Sequence, residues 1–336
     1  MEFNKWYAAI DVHAGGQPLR IVTGGLPSIP GATLQERADY FAQHCGAIRG
    51  LLMAEPRGHH GMTGAIVTPP ASGDARFGLL FMNNEGMADV SGHGVIAAVT
   101  ALIETGQLPP ETAAEGVRID LPAGTIVAYA DCEGSEVKSV SFDHIPCFAY
   151  ALDVPVELNG LAFPVDVVYN GAFYAVVDVK ALDLALLEST LPDLQIWGGA
   201  IKRFIDPRLS LLHPVTGRMA GIHGVVIAGT EGDLRPGSDC RNVTVFANEQ
   251  FDRSPGGAGA IAHMAARMQR GEVRLGDTLT YEGLAGSQAT VQAIETVKRE
   301  DGKATVYRMT GSAFVIGLMN FVIDPSDPLS EGFVLR

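Results

Sequence analysis

Two short glycine-rich segments hold the side chains best placed to do chemistry. The first is Ser91-Gly-His93-Gly94, and the second is Asp252-Arg-Ser-Pro-Gly256-Gly257-Ala258-Gly259. Each segment runs on into a stretch that is apolar on nearly all sides and ends in glycine, the pattern of a buried helix with a glycine C-cap. A helix N-terminus presents N–H groups with no acceptor inside the helix and a partial positive charge. Glycines there let a ligand approach the backbone. Two such ends facing one cleft would hold a carboxylate well. Ser91 stands where a nucleophile or base would stand at the first start, and His93 follows two residues later. Asp252 precedes the second start and suits a substrate cation. The pattern therefore points to an α-amino or α-imino acid.

Each of these residues also has a plain structural reading. Ser91 fits an ordinary helix cap, the commonest use of serine at such a position. His93 fits a satisfied core histidine. Asp252 could pair with Arg253 or Arg241 at the surface. The segment Glu55-Pro-Arg57-Gly-His59-His60 either lines a site or forms a salt-bridged turn. Phosphate is the competing anion, but there is no G-x-x-x-x-G-K-[ST] loop, and the G-x-G pairs lack the full dinucleotide fingerprint.

The two segments match each other. Residues 91–108 lie over residues 256–273 without a gap, and six of the eighteen positions are identical: 92/257, 94/259, 96/261, 97/262, 101/266 and 106/271. A strand-like stretch precedes each. Two such units 165 residues apart imply a duplicated lobe, each with one central helix whose N-terminus faces the cleft. Around them the pattern is strand-rich. Residues 6–10 read as an opening strand followed by a turn-rich stretch over 11–16. Residues 33–47 read as a helix capped by Thr33, with Leu34, Ala38, Phe41 and His44 at helical spacing. Residues 183–191 and 194–205 also read as helices. Alternation predicts strands over 64–68, 77–81, 117–131, 137–142, 163–179, 221–228, 242–247, 291–310 and 313–323.

The chain has 336 residues, 47% apolar and 18% charged, which suits two domains with sizeable cores. Its net charge is −14 and no cluster of Lys and Arg stands out, so nucleic acid is not an expected partner. No apolar run reaches membrane-spanning length, and the first ten residues do not read as a secretory signal. The four cysteines, at 45, 132, 147 and 240, form no C-x-x-C pair or metal-ligand spacing. A reduced cytoplasmic setting is expected.

The motifs closely resemble the proline racemase family, which includes proline racemase, 4-hydroxyproline 2-epimerase and trans-3-hydroxy-L-proline dehydratase. Asp11-Val-His13-Ala-Gly15-Gly16 looks like the family's opening D-x-H-x-G-G. Phe81-Met-Asn-Asn-Glu85-Gly86 with Ser91-Gly-His-Gly94 looks like its first catalytic segment. Asp252-Arg-Ser-Pro-Gly-Gly-Ala-Gly259 looks like its second, normally D-R-S-P-C-G-T-G. The stretch from Gly311-Ser-Ala-Phe314 through Phe321-Val-Ile-Asp-Pro-Ser-Asp-Pro-Leu329 to Gly332-Phe333 looks like its closing segment. The resemblance covers nearly the whole chain. It implies an α/β diaminopimelate-epimerase-like fold, with two pseudo-symmetric lobes, each a curled sheet around a central helix. It implies domains at 1–160, 161–311 and a segment 312–336 returning to the first lobe. It implies no metal or organic cofactor, a small imino-acid substrate of the proline or hydroxyproline kind, and leaves a homodimer open.

In the family's racemases two cysteines flank the α-carbon, one removing a proton and the other supplying one. The resemblance places these positions at Ser91 and Gly256, with substrate contacts on Gly92, His93, Asp252, Gly257 and Ala258. Neither cysteine is present here. Ser91 needs a neighbouring base to act as one, and Gly256 has no side chain to hand over a proton. One-base chemistry survives better, because dehydration removes one α-proton and expels a β-hydroxyl. Residues 55–65 also look more like the dehydratase branch. The expected activity is therefore a trans-3-hydroxy-L-proline dehydratase-type lyase with Ser91 as acid/base. The alternatives are a 4-hydroxyproline 2-epimerase or proline racemase-type isomerase, and an amino-acid-binding member without these activities.

Overall fold

The computed structural model of the chain describes residues 5–214, 216–230, 234–299 and 302–335. The chain forms two compact units, Met1–Phe142 with Ser312–Arg336, and Asp143–Gly311. Each has its own apolar core. The first unit contains helices α1 (Leu34–His44), α2 (Gly46–Met53), α3 (Gly92–Glu104) and α4 (Pro110–Glu115). The second contains α5 (Leu191–Ile205) and α6 (Gly257–Gln269).

The same strand order is built twice. In the first unit, Lys5–Ala14 and Gln17–Gly24 form a hairpin. The second strand of the hairpin then pairs parallel with Thr63–Thr68, which pairs antiparallel with Phe77–Asn83. That strand pairs parallel with Val117–Leu121, which turns back antiparallel into Gly124–Glu133. In the second unit, Leu161–Tyr169 and Phe173–Asp178 form the hairpin. The sequence of parallel, antiparallel, parallel and antiparallel pairings follows through Ile222–Gly229, Cys240–Phe246, Thr278–Glu282 and Gln288–Arg299. In each unit the sheet wraps one apolar helix. α3 packs against strands 5–14, 17–24, 63–68, 124–133 and 313–323, and α6 against 148–158, 161–169, 173–178, 222–229 and 240–246. Nine of the thirteen residues of α6 are buried, so its all-round apolar face is explained by this wrapping.

The duplication also sets the boundary, which falls between 142 and 143 rather than after residue 160. Phe148–Leu158 pairs antiparallel with the first hairpin strand of the second unit. In the first unit that same place is taken by Ala313–Ile323, which pairs with Lys5–Ala14 along its whole length. Strand 148–158 therefore belongs with the second unit because its hydrogen-bond partner does.

Several local expectations shift. The opening strand runs through residue 14, so Asp11, Val12 and His13 lie in a strand and only Gly15 and Gly16, both at positive φ, make the turn. Strand alternation hid this, because the polar residues 11 and 13 carry partners inside the protein. The expected helix over 33–47 is capped by Thr33, whose hydroxyl accepts from the Glu36 N–H at 3.1 Å, and it buries Leu34, Ala38 and Phe41. It ends at His44, and a second helix begins after Cys45. Residues 183–191 do not form a helix. Short 3-10 turns over Val179–Leu182 and Glu188–Thr190 flank a left-handed Asp183.

The second unit carries an acid sensitivity. Burial holds His144, His223 and His263 down to about 4, with Lys202 adding to the effect on His223 and Arg267 on His263. Their neutral forms are the ones folded in, and the unfolded chain takes up protons first, near the ordinary value of 6.5. The stabilisation is present above pH 6.5 and is lost as pH falls from 6.5 to 4. Full loss at one such histidine is worth roughly 3 kcal/mol. Trp197 packs on the second unit's core, whereas Trp6 lies in the first unit. In a Trp6→Phe variant, the urea midpoint read by Trp197 fluorescence is expected to fall steadily from pH 6.5 to 4.5. A flat midpoint across that range would show the histidines contribute nothing.

Candidate functional site

In the first unit the strand Phe77–Asn83 ends in a turn fixed by its own side chains. Asn83 Oδ1 accepts from the N–H groups of Glu85 and Gly86, at 2.8 and 3.0 Å. Asn84 ties the turn to the segment ahead of strand 63–68, donating to the Met53 carbonyl and accepting from the Gly61 N–H. The chain pairs back through Met87–Ala88 and reaches Ser91 in extended conformation. Ser91 is the N-cap of α3, and its Oγ accepts from the Gly94 N–H at 3.2 Å. Gly94 is required for this approach, because a Cβ there would stand 2.7 Å from the Phe81 ring and 2.8 Å from Ser91 Oγ. Ser91 is thus both cap and half-buried candidate base, and the two readings coexist. Gly92 and His93 form the first turn beside it, with His93 half-buried.

In the second unit the strand Cys240–Phe246 turns through Ala247 and Glu249, both at positive φ, and pairs back through Gln250–Phe251. Asp252 follows and is 4% exposed, so it is not a surface residue. Arg241 forms its buried ion pair with Glu282 instead, at 2.6 Å. Asp252 Oδ1 accepts from the Ser254 N–H and hydroxyl, at 2.9 and 2.7 Å, and Ser254 Oγ in turn accepts from the Gly256 N–H at 3.0 Å. This relay holds the chain against the start of α6. Gly256 is the N-cap, at φ +69°, and has no side chain to cap with. Gly257, Ala258 and Gly259 make the first turn, and the Ala258 carbonyl accepts from Asn170 Nδ2 at 2.7 Å.

Both helices end alike. Gly106 and Gly271 are left-handed, and the next residue's N–H returns to the carbonyl five back, Gln107 to Leu102 and Glu272 to Arg267. The expected glycine caps are therefore in place, and the duplicated segments are matching helices from start to end.

The sequence motifs outside the helix starts are structural in the first unit. Asp11 receives both Nε and Nη2 of Arg20 at 2.8 Å, and the Arg20 guanidinium also donates to the Leu52 and Arg57 carbonyls. Glu55 bridges Phe333 through its backbone, and Arg57 reaches Asp327 and the Ser330 carbonyl. The 55–60 segment thus clips the closing segment onto its own unit. His13 accepts from the Gly16 N–H, and its ring lies tilted against Phe314 with centroids 5.3 Å apart. Sequence reading missed Asn170, Asn242 and Thr244, which crowd the first turn of α6. The signal in the sequence was two polar residues, at 242 and 244, on one face of the strand Cys240–Phe246, with Arg241 on the other.

The proline racemase family model matches residues 9–334. This chain belongs to the proline racemase family. A trans-3-hydroxy-L-proline dehydratase of Bacillus cereus is 43% identical over the full length of both chains. A proline racemase of Clostridioides difficile is 34% identical, also over the full length of both. Among solved structures, a hydroxyproline epimerase from Agrobacterium vitis with bound trans-4-hydroxy-L-proline superposes with a TM-score of 0.92 at 28% identity. That match covers 100% of this chain and 96% of the other. The fold is that of this family, the diaminopimelate-epimerase-like α/β fold, with each unit carrying one sheet-wrapped helix. The helix starts of this proline racemase family member carry Ser91 and a bare Gly256. No helix among the described residues is long and apolar enough to cross a membrane.

Proposed function

We propose that this family member is a hydro-lyase of the trans-3-hydroxy-L-proline dehydratase type, working with side chains and backbone alone in a cytoplasmic setting. The observation that carries the reading is the asymmetry of the two starts, Ser91 on α3 and Gly256 on α6, alongside full-length similarity to the Bacillus cereus dehydratase. The first-turn amides of each helix start, Gly92 and His93 on α3 and Gly257 and Ala258 on α6, suit contact with the substrate and its carboxylate, as helix starts do for anions. Asp252 holds the ring ammonium. Ser91 reacts as its alkoxide, which accepts a hydrogen bond from the Gly94 N–H, and takes the α-proton to become the hydroxyl; the resulting carbanion expels the β-hydroxyl, and the enamine product tautomerises to a cyclic imine. A single carbon-directed base suffices for this reaction, whereas racemisation also needs a donor on the opposite face.

The test is incubation with trans-3-hydroxy-L-proline and assay for the cyclic imine. In parallel, α-proton exchange of proline and 4-hydroxyproline is followed in deuterated water. Imine formation supports the lyase. No imine at high enzyme load removes that reading. Exchange with inversion in its place makes the chain an epimerase, and binding that raises the melting temperature with neither reaction makes it a binding protein.

A further inference from the structure

The bare Gly256 is bordered by oxygen atoms. A Cβ built on it would have Thr244 Oγ1 at 3.2 Å and Asp252 Oδ2 at 3.3 Å as its nearest neighbours. Thr244 is 6% exposed, and its hydroxyl has no hydrogen-bond partner among the described residues. Asn242, two residues earlier on the same strand face, is fully buried, and neither atom of its amide has a partner among them either. Thr244 is pressed against α6, because a Cβ on Gly259 would collide with its hydroxyl. A buried hydroxyl left unsatisfied is destabilising, and native proteins seldom leave one without a water or ligand to meet it. The site is polar, and an ordered water needs two to four polar partners.

We propose that Thr244 is a positioning residue. Its hydroxyl and the Asp252 carboxylate hold a water molecule where the side chain at 256 is absent, and this water protonates the departing hydroxyl of the substrate. The inference rests on the dehydratase reading. The Cβ–O bond breaks with its electron pair going to oxygen, and that oxygen takes a proton from the held water and leaves as water. The hydroxide left behind is balanced by the α-proton held at Ser91, and exchange of the two with solvent restores the enzyme. No other reactant is consumed. Gly256 thereby serves as the opening through which the water reaches the substrate.

Thr244→Val keeps the shape and removes the hydroxyl, whereas Thr244→Ser keeps the hydroxyl. On trans-3-hydroxy-L-proline, Thr244→Val is expected to lower kcat at least about 10-fold with KM within about 3-fold, in line with loss of one proton-transfer contribution. In deuterated water it should also raise the ratio of α-deuterium incorporation to elimination, because proton removal proceeds while leaving-group loss stalls. Thr244→Ser should return both values to within about 3-fold of the wild type. A lesion confined to packing would move exchange and elimination together and would not be rescued by Ser. Thr244→Val with unchanged kcat and exchange ratio overturns the inference, as does a joint fall that Ser fails to rescue. A wild-type enzyme that dehydrates nothing overturns the dehydratase reading itself, and this inference with it. A wild type that dehydrates beside an unimpaired Thr244→Val removes only the role of Thr244.

Discussion

Ser91→Ala is expected to lower kcat for dehydration at least about 100-fold while costing the fold only about 1 kcal/mol. The first figure follows from losing a positioned acid–base group, the second from losing a helix cap. In the proposed mechanism Ser91 serves both purposes through one oxygen, and the two losses are read by separate measurements. Its Oγ accepts from the Gly94 N–H, which is a capping bond and also a hydrogen bond that favours the deprotonated hydroxyl. α3 is itself buried by the surrounding strands, so loss of one cap leaves the helix in place. Kinetics from imine formation and a thermal melt measure the two effects side by side. Ser91→Cys sharpens the test. A thiol starts near pKa 8.5 and is lowered at a helix N-terminus, so this variant should exceed Ser91→Ala by about 10-fold or more. If Ser91→Ala keeps full kcat, the residue is a cap alone and the base lies elsewhere.

Asp11→Ala is expected to cost about 3–5 kcal/mol of stability, because it strands a buried guanidinium. Arg20 is 4% exposed and Asp11 7%, and both oxygens of the carboxylate are engaged by the guanidinium. The guanidinium also lies over the Phe321 ring at 4.0 Å, so strands 5–14, 17–24 and 313–323 meet at this one charge. The melting temperature should drop by roughly 10 °C for a unit of this size. Asp11→Ala combined with Arg20→Met should lose less than the sum of the two single variants, since no unpaired charge remains buried. A melting temperature within about 2 °C of wild type would mean that water reaches Arg20 and the pair is not a stabilising element. Because Asp11 belongs to the opening motif, its loss would otherwise be mistaken for loss of a catalytic group; ligand-induced stabilisation in the surviving folded fraction distinguishes the two.

The strongest signals in the sequence were local. The glycine-to-glycine match of residues 91–108 with 256–273 identified two equivalent helices, because a fully wrapped helix must be apolar on every side and its ends need glycine. Alternation located the strand Ala313–Ile323 at its observed bounds, because its two faces see different surroundings. The motif residues gave the family. Periodicity reports that a face is buried and is silent on what buries it, so the partners of polar residues stayed hidden. Asp11 stood out only as part of the opening motif, and its partner Arg20 lies nine residues on, across the hairpin. Asp252 looked able to pair at the surface and is buried in a relay with Ser254 and Gly256. The clip made by Glu55 and Arg57 joins residues 270 to 280 positions apart, a separation at which no local pattern operates.

The two matching helix starts were therefore fixed by sequence, since capping, glycine placement and apolar content are properties of contiguous residues. So was their inequality, because Ser91 and Gly256 are simply the residues present. Only the tertiary structure decided what surrounds the unequal one. Thr244 comes to Gly256 from a neighbouring strand and Asn170 to Ala258 from across the unit, because antiparallel and parallel pairing set their register against α6. Pairing likewise assigned residues 148–158 to the second unit and 313–323 to the first, since a strand belongs to the sheet that satisfies its backbone.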